Sequence, residues 1–309
     1  MSVNNFPWES HPGIVKHINK SWTILTDYEL SEDIYRDYAI KINPEQIRNL
    51  RRKEGWIKVT TNNQSSENKF EKVVFVGDFH IPFHDYKLFE LFIQFIKYFK
   101  PDKCFIIGDL LDCYSVSTFD KDPARIGNLQ IELDLAQNII DKIFKLCKDI
   151  TFLEGNHEWR ITRHLRRNPE LYGLDCLSIA SLLRLADKDI KCHSYMNPPL
   201  KYHKFQVTHG NIVRKYSGWT AKALWEKYAG CGICGHSHRG GNFIKRNTQG
   251  IFAWYENMCM SSLEPEYLDF ADWQQGWSIA YFTKKDLFHL EQIPVIKHQF
   301  LFQGRMFSI

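Results

Sequence analysis

Five apolar segments of this chain end in short polar motifs, and this repetition constrains the fold more than any other feature. The segment VVFVGDFH (73–80) is the first, and the others run into GDLLD, GNHE, THG and GHSH. Apolar runs of this length predict buried strands, although Asp and His are poorly suited to a core. In open α/β sheets, ligands bind outside the carboxyl ends of the strands. We therefore predict that the five polar ends meet at one rim.

The order of the predicted elements indicates the fold class. Amphipathic stretches at 85–99 and 129–147 separate the first three strand-like segments. This alternation is typical of a parallel sheet with helices on its faces. From about residue 202 onward, short strand-like segments dominate. We therefore expect an α/β domain that spans residues 70–309.

The first 65 residues are predicted to form a separate helical segment. A polar run without periodicity, at 60–69, predicts a linker that divides it from the rest. Before the linker, LSEDIYRDY and PEQIRNLRRKEG predict two short helices. We expect Ser31 to cap the first helix and Pro44 to lie in the first turn of the second.

The second of these helices leaves two interpretations open. It carries four basic residues, Arg48, Arg51, Arg52 and Lys53. Two short helices with this charge, over residues 28–58, are similar to a helix-turn-helix that contacts nucleic acid. The alternative is a helical pair that packs on the main domain and covers four apolar residues, Trp8, Trp22, Ile24 and Trp56.

Composition excludes several classes of protein. The formal net charge of +4 over 309 residues is only mildly basic, so total charge alone does not indicate nucleic acid binding. No run of 18 apolar residues predicts a membrane span, and no secretion signal is recognisable. Eight cysteines without framework spacing fit a reduced cytoplasm. Cys231 and Cys234 lack a second C-x-x-C pair, so a buried strand is expected there rather than structural zinc.

The polar residues at the strand ends are predicted to converge on one metal site. They are Asp78, His80, Asp109, Asn156, His157, His209, His236 and His238. Carboxylate, amide oxygen and imidazole together suit Mn, Fe, Zn or Ni rather than a thiolate site. Two ions that share a carboxylate would use most of these groups and could clamp a phosphoryl group during displacement. Taken singly, each residue could instead serve in a turn or as a structural histidine.

The motifs D-x-H, G-D-x-x-D, G-N-H-E, H and G-H-x-H occur in an order that resembles the calcineurin-like metallophosphoesterases. The resemblance covers about residues 70–300. The stretches DFHIPFHD, SGWTAKAL, WYENMC and WQQGW further resemble a phage and bacterial subgroup, whose members often carry a helix-turn-helix-like segment ahead of the enzyme. The resemblance implies a four-layer fold, a β-sandwich flanked by helices. It also implies hydrolysis of phosphoesters with two divalent ions, Mn foremost, with Fe, Zn, Ni or Mg as alternatives.

The resemblance also implies a role for each matching residue. Three ligands would hold one ion: Asp78, His80 and His238. Three would hold the other: Asn156, His209 and His236. Asp109 would bridge the two ions, and a hydroxide between them would attack phosphorus. His157 would protonate the leaving oxygen, and Asp112 would orient and charge that imidazole.

One departure from the family bears on the substrate. Phosphoprotein phosphatases of this superfamily follow the second Asp of G-D-x-x-D with Arg-Gly, whereas this chain has Cys113 and Tyr114. Arg160 is the candidate replacement for the missing arginine. The departure disfavours a protein phosphatase and favours a diester or an unusual monoester.

Two enzymatic functions therefore remain open. The first is a nuclease-like phosphodiesterase acting on DNA or RNA, supported by the Arg-rich segment 160–167 and by three aromatic residues that could stack on bases, Tyr114, Trp159 and Trp219. The second is a phosphatase or small-nucleotide phosphodiesterase whose basic segments are solvated helix faces. A non-catalytic binding protein is disfavoured because every expected ligand is present. The sequence leaves the oligomeric state open.

Overall fold

The chain forms two compact units, Met1–Asn68 and Lys69–Ile309. The structure is a computed structural model that describes residues 6–22, 25–56, 70–118, 120, 128–264 and 271–309. The predicted linker at 60–69 lies entirely outside these residues, so its character stays a prediction.

The first unit contains three helices around a core of its own. They are α1 (Pro12–Ser21), α2 (Asp27–Tyr38) and α3 (Pro44–Lys53), preceded by a 3₁₀ turn at Trp8–Ser10. The two predicted helices are present, and α1 is an addition that was not predicted. The core consists of Ile14, Ile18, Leu30, Ile34, Ile42, Ile47 and Leu50. Trp8, Trp22 and Trp56 pack against it, so these side chains bury apolar surface within the unit itself; Ile24 lies outside the described residues.

The start of α2 differs from the prediction. The Thr26 hydroxyl accepts a hydrogen bond from the Glu29 N–H, and the Glu29 carboxylate accepts one from the Thr26 N–H. This reciprocal capping box satisfies two N–H groups and begins the helix at Asp27. Ser31 therefore lies inside the helix, where its hydroxyl donates to the Ile42 carbonyl. Pro44 does occupy the first turn of α3.

The second unit is built from two sheets and their covering helices. The strands are β1 (Glu71–Val76), β2 (Lys103–Ile106), β3 (Asp149–Leu153), β4 (Lys191–His193), β5 (Leu200–Tyr202), β6 (Phe205–Thr208), β7 (Cys231–Cys234), β8 (Gly241–Asn247), β9 (Gly250–Glu256), β10 (Gly276–Phe282), β11 (Phe288–Pro294), β12 (Gln299–Phe302) and β13 (Arg305–Ser308). The helices are α4 (Tyr86–Phe99), α5 (Leu129–Leu146), α6 (Glu158–Leu165), α7 (Ile179–Leu182) and α8 (Trp219–Tyr228), with 3₁₀ turns at Tyr114–Val116, Asp175–Leu177 and Ala186–Lys188.

The strand orders place the chemistry-bearing strands side by side. The six-stranded sheet has the order β11-β10-β1-β2-β3-β4, and the five-stranded sheet has the order β5-β6-β7-β9-β8. Strands β1, β2 and β3 are parallel neighbours, as are β6 and β7. Their carboxyl ends therefore point the same way within each sheet. A β12–β13 hairpin completes the unit.

The alternation of β1 explains the layers. Val73 and Phe75 point into the space between the sheets, where they meet Phe205 of the second sheet. Val74 and Val76 point to the other face and join the core formed with α4 and α5.

Helix α8 covers the outer face of the second sheet. Its residues Ala221 and Leu224 pack against Trp254, which is fully buried. Helices, sheet, sheet and helix thus form four layers, which confirms the predicted α/β sandwich flanked by helices. Within the described part of the chain, no helix is long and apolar enough to cross a membrane.

Candidate metal centre

The polar residues that follow five strands come together at one rim. His80 follows β1 and His238 follows β7, and their Nε2 atoms lie 2.9 Å apart. His209 follows β6, and its Nε2 lies 3.0 Å from Oδ1 of Asn156, which follows β3. The carboxyl ends of both sheets therefore meet, because each of these pairs joins one sheet to the other.

Two groups of side chains present their ligand atoms to common points. The first group is Asp78, His80, Asp109 and His238, and the second is Asp109, His209 and His236. In each group, all the ligand atoms lie within 4.8 Å of one another. Asp109 belongs to both, with Oδ2 at 3.7 Å from His80 Nε2 and 3.3 Å from His209 Nε2. This position fits the bridging role expected of it.

The charges of these groups match the donor set of divalent cations. Burial alone would raise the pKa of the Asp78 and Asp109 carboxyls, but His238 beside the first and His209 beside the second hold both pKa values below the usual range. Burial lowers the pKa of His80 to about 4. Two ionised carboxylates that are at most 1% exposed, next to a neutral imidazole with a lone pair, provide the donor types that a divalent cation requires.

The ligand-bearing turns have an unusual backbone. Five of the seven predicted ligands adopt a left-handed conformation, with φ of 53° at Asp78, 51° at His80, 49° at Asp109, 69° at His236 and 57° at His238. Residues other than glycine rarely adopt this conformation, and it persists where the surrounding structure over-determines it. Here it turns the side chains back toward the rim directly after each strand.

Two glycines permit the close approach of the turns. A Cβ atom on Gly155 would overlap Oδ1 of Asp109, and one on Gly235 would lie 2.6 Å from Oδ2 of Asp78. Any larger residue at either position would displace a carboxylate. The glycines that precede the predicted ligands thus leave room for the carboxylates themselves.

Glu158 is a functional residue that the sequence analysis missed. Its buried carboxylate accepts backbone N–H bonds from Asp109 (3.0 Å), Leu111 (2.8 Å) and Gly155 (2.7 Å). It therefore ties the turn that carries Asp109 to the turn that carries Asn156. Burial, followed by the charge of Asp109, raises the pKa of Glu158 to about 7. The motif G-N-H-E contains this residue, but its partners are visible only in the tertiary structure.

Glu256 has a similar place behind the other histidines. Its carboxylate accepts N–H bonds from Thr220 (3.1 Å) and Ala221 (3.2 Å) at the start of α8, and a hydroxyl bond from Ser237 (2.7 Å). Ser237 lies between His236 and His238, so this fully buried carboxylate fixes the turn that carries both. The stretch WYENMC was the available signal.

The structure brings His157, Asp112 and Arg160 together. His157 Nδ1 lies 2.8 Å from the Asp112 carbonyl and 3.3 Å from Asp112 Oδ1. Arg160 Nη2 lies 3.0 Å from His157 Nε2. A guanidinium can only donate, so in the neutral imidazole Nε2 accepts and Nδ1 carries the proton. Burial alone would lower the pKa of His157, but the charge of Asp109 and the bond to Asp112 outweigh it and raise that pKa.

This arrangement adds a condition to the acid role predicted for His157. The Nε2 atom also faces Asp109 Oδ2, at 3.8 Å, on the side of the metal ligands. In the present geometry, Arg160 Nη2 contacts this Nε2 atom, and Arg160 Nη1 donates to the Asp112 carbonyl. If His157 is the acid, proton delivery from Nε2 would require this contact with Arg160 to be broken.

The aromatic residues near the rim differ in their surroundings. The Arg166 guanidinium lies over the Trp159 ring, 4.7 Å from the ring centroid. The Tyr114 hydroxyl donates a hydrogen bond to the Asp120 carbonyl. Trp219 is 54% exposed. Trp273, which was not singled out from the sequence, lies 4.3 Å from the ring of His238.

Comparison with known proteins assigns this geometry to a family. The model of the calcineurin-like phosphoesterase family matches residues 71–240. The chain belongs to this family. It is accordingly a metal-dependent phosphoester hydrolase, and its substrate is a phosphoester.

The relatives of this phosphoesterase include a phage protein. The gene 54 protein of Mycobacterium phage L5 is 25% identical over 262 residues, which cover 77% of this chain and 99% of that protein.

Similar solved structures include Vps29 from Cryptosporidium parvum, which is 11% identical. The match covers 77% of this chain and 94% of that chain, with a TM-score of 0.41. A dimetal phosphatase from Danio rerio has 10% identity, coverage of 72% and 95%, and a TM-score of 0.37. The phosphoesterase Yfce from E. coli has 10% identity, coverage of 71% and 98%, and a TM-score of 0.34. The family assignment therefore rests on the sequence model.

The residues present fit the two divalent ions that this family implies. When bound, such ions activate water and neutralise the charge of a phosphoester. The chain would supply the rest of the chemistry: Asp78 and Asp109 would contribute the negative charge that retains cations, and Glu158 would keep Asp109 in place. His157 holds a proton toward Asp112, and Arg160 presents a permanent positive charge beside it.

Proposed function

We propose that this phosphoesterase hydrolyses phosphodiester bonds of DNA or RNA with two divalent ions, Mn foremost. One ion would be held by Asp78, His80 and His238, and the other by Asn156, His209 and His236. Asp109 would be shared, His157 would be the acid, and Asp112 would orient it. The similarity to a phage protein supports a place in the host cytoplasm.

A line of basic side chains that begins at the metal centre carries this proposal. Helix α6 starts directly after His157, and Arg160 in its first turn contacts that imidazole. Residues three apart share one helix face, so Arg163 continues from Arg160, and Arg167 follows in the turn just after α6 ends at Leu165. Both are exposed, and Arg163 is placed by a 3.3 Å bond to the Thr118 hydroxyl. A small ester has one phosphate, whereas a polynucleotide offers further phosphates to the later arginines.

The position of the missing family arginine is consistent with a diester. Cys113 occupies it with a left-handed backbone, φ 52°, and its N–H donates to the buried Glu132 carboxylate at 2.7 Å. The side chain is buried, so no cation replaces the arginine at this point of the backbone. A monoester carries more negative charge than a diester and loses more from this replacement.

A phosphomonoesterase is the second candidate, and Arg160 is the observation that favours it. Its guanidinium lies beside His157, where it could face the additional charge of a monoester. In that case Arg163 and Arg167 would be a solvated helix face without a role in catalysis.

A substrate panel distinguishes the two candidates. The Mn-loaded protein is assayed with p-nitrophenyl monoesters and diesters, single-stranded DNA, and RNA. We expect cleavage of polynucleotides and diesters. Faster turnover of monoesters than of every diester, without polynucleotide binding at low salt, would establish the phosphomonoesterase instead.

A matched pair of variants tests the line of arginines. The double variant Arg163→Ala, Arg167→Ala should weaken polynucleotide binding. It should also flatten the dependence of log Kd on log salt by about one unit for each phosphate that is no longer neutralised. Lys245→Ala with Arg246→Ala removes two exposed charges from β8 and should change neither quantity. Equal effects of the two double variants would show that Arg163 and Arg167 act only through the net charge of the protein, not through their position beside the metal centre.

A further inference from the structure

A pocket of about 350 Å³ opens beside the metal centre. Six residues that matter for its chemistry line it: Tyr195, Thr208, Gly210, Asn211, Lys227 and Tyr228. Thr208 and Gly210 flank the predicted ligand His209. The ring of Tyr195 lies 6.2 Å from that imidazole, so the pocket adjoins the second ligand group and has the size of small-ligand sites.

The wall formed by Tyr195 is fixed by the metal-binding turn. Its N–H donates to the Glu154 carboxylate at 3.1 Å, and the Ser194 hydroxyl donates to the same oxygen at 3.1 Å. Glu154 is followed directly by Gly155 and the predicted ligand Asn156. The wall and the ligand turn are therefore held together, which reduces the ordering cost of binding.

The wall formed by Tyr228 is equally well supported. Its ring stacks on the fully buried Trp254, with centroids 6.1 Å apart and planes inclined by 26°. Lys227 places its ammonium 4.9 Å from the Tyr228 ring centroid and 3.4 Å from Asn211 Oδ1. An ammonium has three donors, and an amide offers both donors and an acceptor. The pocket thus combines two aromatic rings with a small polar edge.

We propose that this pocket binds the nucleobase adjacent to the scissile phosphate. Aromatic rings stack on bases of any sequence, and the Lys227 and Asn211 side chains can bond to the edge of a base as they do in other nucleic acid complexes. A second phosphate would instead require a cluster of cations. The inference rests on the proposed phosphodiesterase function and adds that one nucleoside, not only the phosphate, is recognised.

Two esters with the same leaving group test the proposal. The Mn-loaded full-length protein is assayed with thymidine 5′-(p-nitrophenyl) phosphate and with methyl p-nitrophenyl phosphate, which lacks a base. We expect kcat/KM to be about 10-fold higher for the nucleoside ester, mainly through KM, because stacking contributes only when a base is present. Equal values for the two esters would overturn the proposal.

Variants assign the preference to the pocket. Tyr228→Ala and Lys227→Met should each reduce the ratio of the two kcat/KM values toward one. Lys222→Met removes the same charge from the same helix, where Lys222 pairs with Glu226 at 3.7 Å outside the pocket, and should preserve the ratio. A ratio that is unchanged in both pocket variants would place base recognition elsewhere and overturn the proposal.

The outcomes separate this inference from the proposed function. A preference for the nucleoside ester without cleavage of DNA or RNA would retain the pocket and refute the polynucleotide substrate. Cleavage of DNA or RNA with equal rates on the two esters would do the reverse. If neither ester is turned over, calorimetric titration with thymidine decides: binding that Tyr228→Ala weakens supports the pocket, and absence of binding at millimolar thymidine overturns it.

Discussion

The metal centre and the basic helix α3 both concentrate charged side chains, but those of the metal centre are buried and those of α3 are largely exposed. At the metal centre the carboxylates are buried, surrounded by histidines and held by left-handed turns. On α3 the Arg48 side chain is 52% exposed and pairs with Asp27 at 3.2 Å. Burial of charge costs free energy unless it is compensated, whereas an exposed ion pair contributes about 0–1 kcal/mol. A buried cluster is therefore strong evidence of function, and an exposed one is weak.

The contacts of α3 also show which of its basic residues remain available to bind phosphates. Asp27 pairs with Arg51 at 2.9 Å as well, and the Arg51 guanidinium lies 5.6 Å from the ring centroid of Trp22. These two arginines stabilise the helical unit itself. Arg52 and Lys53 are exposed in the last turn, so the predicted contact with phosphates depends mainly on them.

Asp109→Asn should have the largest effect, because both ligand groups share this carboxylate. We expect phosphoester hydrolysis to fall by several orders of magnitude, with bound Mn reduced. Asp187→Asn, an exposed position, is the control and should retain wild-type activity and metal content. Undiminished turnover of Asp109→Asn at low Mn would refute the role of Asp109 as a carboxylate shared by two ions. The buried cluster would then be no better evidence of function than the exposed charges of α3.

His157→Ala should have the next largest effect. The variant should retain its metal but lose roughly 10²- to 10⁴-fold in rate on esters with poor leaving groups. The loss should be smaller with p-nitrophenolate, which needs little protonation. His164→Ala, exposed on the same helix, should behave as wild type. Loss of one equivalent of metal from His157→Ala would make this residue a ligand instead of an acid.

Glu158→Gln tests whether the buried carboxylate positions Asp109. An amide replaces one acceptor oxygen by a donor, so at least one of the three N–H bonds is lost. We expect Mn affinity, measured by calorimetry, to decrease by about 10- to 100-fold, as for other partners that orient metal ligands. Glu170→Gln on the surface should leave the affinity unchanged. Wild-type affinity in both variants would show that the Asp109 turn does not need this support.

The smallest effect is expected from α3. Arg52→Ala with Lys53→Ala should leave turnover of small esters unchanged. It should flatten the salt dependence of polynucleotide binding by about one log unit for each phosphate that is no longer neutralised. Lys16→Ala with Lys20→Ala, exposed on α1, is the matched control. An identical response of the two double variants would remove the helix-turn-helix interpretation, and removal of residues 1–65 should then also leave polynucleotide binding intact.

The second unit could be predicted well from the sequence, because polar ligand-type residues rarely follow several buried strands unless they share a functional site. Ligand-type residues such as Asp78 and His209, placed directly after apolar strands, are costly unless they share a site. Glu158 and Glu256 lie in recognisable motifs, but their supporting roles could not be predicted, because N–H partners such as Asp109 and Thr220 come from distant segments. The pocket proposed to bind a nucleobase is likewise lined by three separate segments of the chain.

The helical unit shows where local signals were misread. Ser31 has a residue type that is common at helix starts, but Thr26 and Glu29 have the spacing of a capping box, and this box sets the start of α2. Helix α1 was missed although Pro12, Ile14 and Ile18 have helical spacing. Short amphipathic segments are weakly specified by sequence, since most of their stability comes from packing.

Metal content measured together with activity tests the central claim most directly. The account predicts about two Mn ions per chain, complete loss of phosphodiester hydrolysis after chelation, and recovery on addition of Mn, since two ions share the Asp109 carboxylate. Hydrolysis that continues at the wild-type rate in metal-depleted protein would contradict it.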